Sequence, residues 1–328
     1  MKDSRYIRAI GEGLAEELDR DGNVLVLGED VVEGGPFSVT KGLAGRFGTK
    51  RIRNTPISES AFMGLALGAA IAGLRPVVEV MFMDFLTVCM DPLVNHAAKM
   101  RYMFGGQYSV PLVVLTAAGA GGGAGPHHSQ SLEAWFAHIP GLKVVMPSTP
   151  YDAKGLLKAA IRDDDPVIYV YHKGLLRQAG QMPEEDFTVP IGVADIKREG
   201  TDITIVATGL AVHQALSAAV GLQEAGVSAE VVDPRTISPL DTATIVASVK
   251  KTGRLVVAHE AVKGFGIGAE VAAVVAEEAF DYLDAPIKRI GLPFTPIPFS
   301  PTLEAALLPT ADDIGRAARE ACGVAVEQ

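Results

Sequence analysis

The sequence predicts an α/β protein with two domains, each built on a mostly parallel sheet. Apolar runs of strand length alternate with helical patterns over nearly the whole chain. A polar stretch without periodicity interrupts this alternation between Arg177 and Pro190. The 328 residues are enough for two hydrophobic cores. We therefore expect a first domain over residues 1–180, a linker over 181–190 and a second domain over 191–328.

The strands are predicted where apolar residues cluster between turn residues. In the first domain they cover residues 24–27, 76–81, 111–115, 144–146 and 167–170, and in the second domain residues 203–207, 229–233 and 255–258.

Helices are predicted between these strands. The first one begins after Thr55, because Thr55 is a suitable N-cap and Pro56 suits the first helical position. The others cover residues 153–161, 212–224 and 270–278.

Composition and charge exclude several classes of protein. Hydrophobic residues make up 48% of the chain and charged residues 21%, which is typical of a globular protein. A net charge of −10 argues against nucleic acid or an anionic membrane as a partner, since both attract basic patches. The two cysteines, Cys89 and Cys322, indicate a reducing compartment and exclude a cysteine-based zinc site. The charged N-terminus lacks the apolar core of a signal peptide, so we expect a cytoplasmic protein without a membrane span.

Glu59 lies at the start of a helix made mostly of small and apolar residues. One interpretation is that an acid in the first turn only favours the helix dipole, by about 0.3–1 kcal/mol. The other is that a half-buried carboxylate holds or protonates a ring nitrogen of a ligand. Considered alone, the segment favours the first interpretation.

A glycine-rich loop over residues 119–126 leads to His127 and His128. It follows a predicted strand, at the edge where open α/β sheets bind their ligands, and we expect the histidines at the start of the next helix. A flexible surface loop is the alternative, but ordinary loops of about 4–6 residues do not need so many glycines. His128 can act as an acid or base near neutral pH. The spacing of the histidines, with His138, does not match a zinc site.

Three further segments have two interpretations each. Phe85, after the strand at 76–81, is either a core aromatic residue or a stacking surface for a flat cofactor. The acidic turn at 162–166 is either a solvated surface or an oxygen-rich cation site. Residues 264–269 fit the pattern G-x-G-x-x-A of nicotinamide-binding proteins, but they do not directly follow their strand.

Several short motifs together resemble a known family, the beta subunits of the thiamine-diphosphate-dependent component of 2-oxo acid dehydrogenase complexes. Pyruvate, branched-chain and acetoin dehydrogenases have such subunits, and residues 81–85 and 101–106 look most like the acetoin branch. The matching motifs lie at residues 55–59, 72–76, 128–131, 140–145, 160–163 and 235–241.

The resemblance implies two doubly wound domains, a pyrimidine-binding domain followed by a transketolase-type C-terminal domain. It also implies that Glu59 contacts N1′ of the aminopyrimidine of thiamine diphosphate and that Phe85 and Ile57 contact the same ring. His128 would face the substrate or the lipoyl arm that takes the acyl group, and Glu29 would lie on the route between paired active sites. The resemblance also implies that the cofactor stores the electron pair when the substrate carbon–carbon bond is cleaved.

The resemblance further implies a potassium ion, held largely through backbone carbonyls. The matching positions are Leu112, Ala160, Ile161, Asp163 and Asp165.

Some positions depart from the family pattern. His127 replaces a usual Gln, Leu115 a frequent Arg, and Asp165 a common Asn, and the loop at 119–126 is richer in glycine. The departures at His127 and Leu115 surround the substrate end of the site. The sequence therefore leaves the substrate open among pyruvate, acetoin and branched-chain or other 2-oxo acids.

The Gly-Asp-Gly signature that holds diphosphate and Mg²⁺ in the family is missing from the sequence. The resemblance therefore implies that an alpha subunit supplies this half of the site in an α2β2 heterotetramer, which works with a lipoyl-bearing acyltransferase. Two alternatives remain: a non-catalytic scaffold subunit with the same fold, and a nicotinamide-binding oxidoreductase that uses residues 264–269.

Overall fold

The computed structural model of the chain describes residues 1–324 and divides into two compact units. The first unit comprises Met1–Ala118 and Trp135–Ile191, and the second comprises Gly119–Ala134 and the chain from Gly192 onward. The prediction of an α/β fold is confirmed. The predicted domain boundaries differ from these units at one internal segment. Residues 119–134 leave the first unit and pack with the second.

The first unit is built on a parallel sheet whose strands lie in the order β6-β7-β5-β4-β2-β3. A short antiparallel pair, β1 with β8, lies beside it in the same unit. The elements from Met1 to Ile191 are, in order, β1 (Lys2–Arg5), α1 (Tyr6–Arg20), β2 (Val24–Gly28), α2 (Leu43–Phe47), β3 (Ile52–Asn54), α3 (Glu59–Ile71), β4 (Arg75–Phe82), a 3₁₀ helix (Met83–Cys89), a π-helix (Asp91–Ala97), α4 (Ala98–Met103), β5 (Val113–Ala118), α5 (Glu133–Ala137), β6 (Lys143–Val145), α6 (Pro150–Arg162), β7 (Val167–His172), a 3₁₀ turn (Lys173–Leu175) and β8 (Ala179–Met182).

The second unit has its own sheet, in the order β14-β13-β10-β11-β9, with only β9 antiparallel among the described strands of this sheet. Its elements are β9 (Asp195–Arg198), β10 (Ile203–Ala207), α7 (Leu210–Glu224), β11 (Ala229–Asp233), β12 (Thr236–Ser238), α8 (Thr242–Thr252), β13 (Leu255–Val262), α9 (Ile267–Glu278), a 3₁₀ turn (Phe280–Tyr282), β14 (Lys288–Leu292), α10 (Pro301–Ala305) and α11 (Ala311–Ala321).

The core of each unit lies on its parallel strands. β5 and β7 in the first unit, and β10 and β11 in the second, are buried at every residue. Strands that are covered on both faces form continuous apolar runs, which is why the sequence predicts them so directly. Among the described residues, no helix combines the length and the apolar character that crossing a membrane requires.

Two local predictions are wrong. α3 begins at Glu59 and not after Thr55, because the Thr55 backbone N–H donates to Gly28 O at 2.9 Å and keeps this segment extended beside β2. The polar stretch after Arg177, which the sequence presents as irregular, contains β8. Its pairing partner β1 lies at the other end of the first domain, and this distant pairing leaves no local signal.

A buried ionic cluster joins α1 to α6 in the first unit. The Lys154 and Lys158 side chains are fully buried, and both ammonium groups donate to the Glu16 carboxylate. Lys158 also pairs with Asp186. Burial alone would raise the pKa of Glu16, but the hydrogen bonds and charges of the two lysines lower it. Glu16 therefore stabilises the fold at neutral pH, and this contribution is lost as the pH falls through the lowered pKa.

We expect the substitution Glu16→Gln to lower the free energy of unfolding by about 2 kcal/mol, because it leaves buried ammonium groups short of a carboxylate. Urea denaturation at pH 7 and at pH 4 measures this change, and the difference from wild type should shrink at pH 4. Glu12→Gln on the same helix is the control, since Glu12 pairs with the more exposed Lys2 and Arg8 and should contribute less than about 1 kcal/mol. Equal effects of the two substitutions would contradict this account.

Candidate active site

The carboxyl edge of the first unit's sheet gathers three of the predicted site segments. Gly28, at the end of β2, pairs with Asn54 on β3 and with Glu79 on β4. Glu29 directly follows β2, the segment leading to Glu59 follows β3, and the segment with Phe85 follows β4. The strand order reverses between β2 and β4, since the chain runs from β2 to β3 on one side and then to β4 on the other. Open α/β sheets bind ligands at such a switch point.

Two carboxylates lie buried together at this edge. Glu29 is 9% exposed and Glu59 is 8% exposed. Burial, followed by the charges of Glu59 and Asp30, raises the pKa of Glu29. Glu29 Oε1 is buried without a hydrogen-bond partner, and the Glu59 carboxylate accepts no hydrogen bond, within residues 1–324. The pair can therefore exchange a proton with a ligand and accept hydrogen bonds from it.

Glu59 is the first residue of α3, and the preceding Ser58 makes no side-chain cap. Glu59 therefore lies in the first turn, at the positive end of the helix dipole. The two interpretations of Glu59 are compatible in this geometry, because a residue in the first turn of α3 also lies at the sheet edge.

The two predicted ring-contacting residues differ in their surroundings. Phe85 lies on the 3₁₀ helix after β4 and packs edge-on against Phe82, with ring centroids 5.5 Å apart. Its partly buried ring is held in place by this contact. Ile57 is 82% exposed in the extended segment before α3. Ile57 is therefore accessible to a ligand, and the Phe85 ring is accessible only in part.

Two buried titratable residues near this edge were missed by sequence reasoning. Burial, with the nearby charge of Glu59, raises the pKa of the Cys89 thiol to about 12, so this thiol stays neutral. Burial raises the pKa of Glu79 to about 8, and neither carboxylate oxygen has a partner within the described residues. Both residues lie in apolar sequence that indicates core, and neither has a motif that distinguishes it.

The histidine pair belongs to the second unit. Its chain segment leaves β5 and returns at Trp135, and α5 begins only at Glu133, so the prediction that the histidines open the next helix is wrong. The His128 backbone N–H donates to Gly125 O at 3.3 Å, in a turn. His127 lines a cavity of about 440 Å³.

This cavity lies within the second unit and has largely apolar walls. Its lining contains no Asp, Glu, Lys or Arg among the described residues, so it suits an uncharged group. Besides His127, the polar groups that line it come from Gln130, Ser131 and Thr295.

The glycine loop is an ordered, packed segment. Gly125 has a φ of +77°, and a Cβ there would overlap the ring of Phe299. Gly123 has a φ of +63° and lies against the Phe299 carbonyl. Glycine is therefore required by close packing at these positions, and not by loop flexibility.

The predicted cation site is surrounded by basic side chains in the structure. Arg75 Nη1 donates to the carbonyls of Ile161 and Asp163, each at 3.0 Å. The Leu112 carbonyl accepts from Val167 N at 2.9 Å. These carbonyls already have protein donors, although each carbonyl oxygen retains a second lone pair.

The remaining positions of the cation site show the same pattern. The Ala160 carbonyl accepts from Asp163 N at 3.3 Å, and Lys143 Nζ lies 2.7 Å from an Asp163 carboxylate oxygen. Asp165 accepts from Arg101 at 2.6 Å. Burial would raise the pKa of Asp165, but hydrogen bonds and charges from Arg101 and Lys143 lower it.

The glycine pattern at residues 264–269 has a packing explanation. A Cβ at Gly266 or Gly268 would lie within 3.0 Å of the His259 ring, which is fully buried. Burial lowers the pKa of His259 to about 4, so the ring stays neutral at physiological pH. These glycines make room for an imidazole, which accounts for them without a dinucleotide.

The two halves of the chain match two known domain families. Residues 3–178 match the transketolase pyrimidine binding domain, and residues 192–314 match the transketolase C-terminal domain. The chain is 50% identical to the beta subunit of acetoin:2,6-dichlorophenolindophenol oxidoreductase of Bacillus subtilis (strain 168), over 93% of each chain. The chain belongs to the family of beta subunits of thiamine-diphosphate-dependent E1 components.

Other E1 beta subunits are nearly as similar. The beta subunit of 2-oxoisovalerate dehydrogenase of Bacillus subtilis (strain 168) is 48% identical, over 96% of this chain and 97% of the relative. The pyruvate dehydrogenase E1 beta subunit of the same organism is also 48% identical, over 98% and 99%. A solved split-gene transketolase, described as an inactive beta4 tetramer, shares the fold with a TM-score of 0.78, 24% identity and 97% coverage of each chain.

Among the site residues that the sequence predicts for an E1 beta subunit, three lie at one edge of the first unit's sheet. Glu29, Glu59 and Phe85 follow adjacent strand ends of one sheet. His128 belongs to the other unit, and its role and those of the other site residues remain predictions.

We predict that Glu59→Gln lowers the pKa of Glu29, because it removes a nearby negative charge that raises this pKa. A pH titration of the side-chain carboxyl signals in ¹³C-glutamate-labelled protein measures the shift. Glu33→Gln is the control, since Glu33 is an exposed acid in the same unit and is not among the causes of the Glu29 shift. An unchanged Glu29 titration in Glu59→Gln would show that the two carboxylates do not interact.

Gly125→Ala should destabilise the protein by about 1–3 kcal/mol, because the new methyl group overlaps the Phe299 ring and the backbone has a positive φ. Gly122→Ala, where a Cβ meets open space, should change stability by less than about 0.5 kcal/mol. Urea unfolding followed by far-ultraviolet circular dichroism compares them, since this signal reports both units. If both variants were equally stable, the loop would be flexible after all.

Proposed function

We propose that this chain is the beta subunit of a dehydrogenase E1 component that cleaves a carbon–carbon bond of a 2-oxo acid or of acetoin and passes the acyl group to a lipoyl carrier. The observation that carries the proposal is the pair of buried carboxylates, Glu29 and Glu59, at the switch point of the first sheet. The substrates and the complexes named for the relatives support this reaction class.

The residues at the sheet edge fit the aminopyrimidine of thiamine diphosphate. The ring offers nitrogen atoms and an amino group, and Glu59 has a buried carboxylate whose hydrogen-bonding capacity is unused within residues 1–324. Glu59 would hold N1′ of the ring through a shared proton, with Phe85 and Ile57 against its face. When bound, thiamine diphosphate supplies the electron sink for carbon–carbon cleavage.

Glu29 would assist Glu59. Burial, followed by the charges of Glu59 and Asp30, raises the pKa of Glu29 and so favours its protonated form. A protonated Glu29 can donate a hydrogen bond beside the carboxylate that would hold the ring nitrogen. In the same proposal His128 acts at the acyl-transfer step, as an acid or a hydrogen-bond donor toward the lipoyl arm.

An alpha subunit would supply the other half of the site and hold Mg²⁺ with the diphosphate, in an α2β2 heterotetramer. The absence of Gly-Asp-Gly from the sequence supports a second half supplied by another chain. α3 is apolar all round and exposes Ala61, Gly64, Leu65 and Gly68 at helical spacing. A small-residue stripe on the helix that carries Glu59 suits close packing against a partner.

The potassium ion remains part of the proposal. The carbonyls of Leu112, Ala160, Ile161 and Asp163, with Asp165, would hold it through their second lone pairs. Binding would require Arg75 to shift away from the Ile161 and Asp163 carbonyls, which it occupies in this structure. We also propose that the protein is cytoplasmic.

We expect Glu59→Gln to reduce the turnover of the complex co-expressed with its alpha subunit by about 10²–10⁴-fold, because a neutral amide cannot exchange the proton at N1′. Assays with pyruvate, acetoin and 3-methyl-2-oxobutanoate measure turnover and identify the substrate. Glu33→Gln on the same unit should leave the rate unchanged. The scaffold hypothesis predicts full activity for Glu59→Gln, so that result would reject the catalytic role.

A further inference from the structure

The glycine loop at residues 119–126 is held by a carboxylate from a distant part of the second unit. Glu304 lies on α10 and is 3% exposed. Its Oε1 accepts a hydrogen bond from Gly121 N at 2.9 Å, and its Oε2 accepts one from Gly123 N at 2.8 Å. Both carboxylate oxygens are therefore used on alternate amides of one short loop segment.

The residues on either side of these bonds fix the same segment. Ala120 N donates to the Glu260 carboxylate, and the Ala120 side chain packs with Leu292 and Ile297. At the other end of the loop, Gly125 lies directly against the ring of Phe299. Ala120 to Gly125 are thus held by hydrogen bonds at three backbone amides and by one close packing contact.

These contacts exclude one use of the loop. Consecutive glycine amides often form a concave site for phosphate or another anion. In this chain the Glu304 carboxylate already occupies the amides of Gly121 and Gly123. The loop cannot hold a diphosphate in this conformation, so its glycines serve another purpose.

The loop leads directly to His128, and this connection indicates what its glycines do. The Gly125 carbonyl accepts the His128 backbone N–H, so the segment that Glu304 and Phe299 fix also sets the backbone position of His128. Ser129, the next residue, is buried. His128 therefore lies between packed parts of the chain, with the loop before it and the buried Ser129 after it.

We propose that Glu304 is a positioning residue whose carboxylate holds the glycine loop in the conformation that delivers His128 for acyl transfer. This inference rests on the role given to His128 in the proposed function. This role requires both carboxylate oxygens of Glu304, because an amide side chain has only one acceptor oxygen. In Glu304→Gln the NH₂ group would face a backbone N–H, which would lose its hydrogen bond.

Two assays on the complex with the alpha subunit separate positioning from catalysis at the cofactor. Oxidation of the substrate with 2,6-dichlorophenolindophenol reports cleavage without a lipoyl arm, and reductive acylation of lipoamide reports the transfer step. We expect Glu304→Gln to lower the transfer rate by about 10- to 100-fold, since a displacement near 1 Å can cost that much, while the dye-linked rate is nearly unchanged. Glu277→Gln, an exposed acid on α9, is the control for both assays.

A double-mutant cycle identifies the route of the effect. If Glu304 acts through His128, the variant carrying Glu304→Gln and His128→Ala transfers acyl groups no more slowly than His128→Ala alone. If the two single substitutions reduced the transfer rate by factors that multiplied in the double variant, the inference would be overturned. A normal transfer rate in His128→Ala would reject the proposed role of His128 and the inference with it. A slow His128→Ala beside a normal Glu304→Gln would overturn the inference alone.

A second variant covers the case in which Glu304→Gln folds poorly. Glu304→Asp keeps the charge and both acceptor oxygens on an arm that is one methylene shorter. It should fold and show a smaller loss confined to the transfer step. If Glu304→Asp loses the dye-linked and transfer rates together, Glu304 only stabilises the fold, and the inference is wrong.

Discussion

Two carboxylates buried side by side at the end of a parallel sheet constrain the chemistry of this chain. Glu29 and Glu59 are both less than a tenth exposed, and the charge of one raises the pKa of the other. Their proximity follows from the parallel register that aligns the ends of β2 and β3. The arrangement costs stability, which a fold tolerates where the carboxylates have a function. In the proposed function, Glu59 at the start of α3 holds a ring nitrogen of the cofactor.

The same sheet explains the other features of the site. The strand order reverses between β2 and β4, and open α/β sheets bind their ligands at such a switch point. Phe85 follows β4 on a 3₁₀ helix, and the neutral Cys89 thiol lies on the same short helix. The buried surroundings keep water from screening the carboxylates, so their coupling is stronger than it would be at the surface. The second unit contains a carboxylate in the opposite situation. Both oxygens of Glu304 accept hydrogen bonds, and they hold a loop.

Sequence reasoning works here where the physical cause is local. Buried parallel strands are continuous apolar runs, and β4 before Phe85 is such a run, so the place of Phe85 after a strand could be predicted. β3 before Glu59 has three residues, of which only Ile52 is buried, and such a strand could not be predicted from a local pattern. The start of α3 could not, because the Thr55 N–H is bound to a strand that lies earlier in the chain. The conformation of the glycine loop depends on Glu304, 183 residues away from Gly121, and no local pattern contains that contact. The glycines of residues 264–269 gave a misleading pattern for the same reason, since the imidazole that needs the space lies on β13.

The central claim is that the Glu59 carboxylate shares a proton with N1′ of the aminopyrimidine. The most direct measurement is the ¹⁵N chemical shift of N1′ in labelled thiamine diphosphate bound to the complex with its alpha subunit. The account predicts a shift of protonated character in the wild type and of unprotonated character in Glu59→Gln, with cofactor bound in both. Identical ¹⁵N shifts in the two proteins would contradict it.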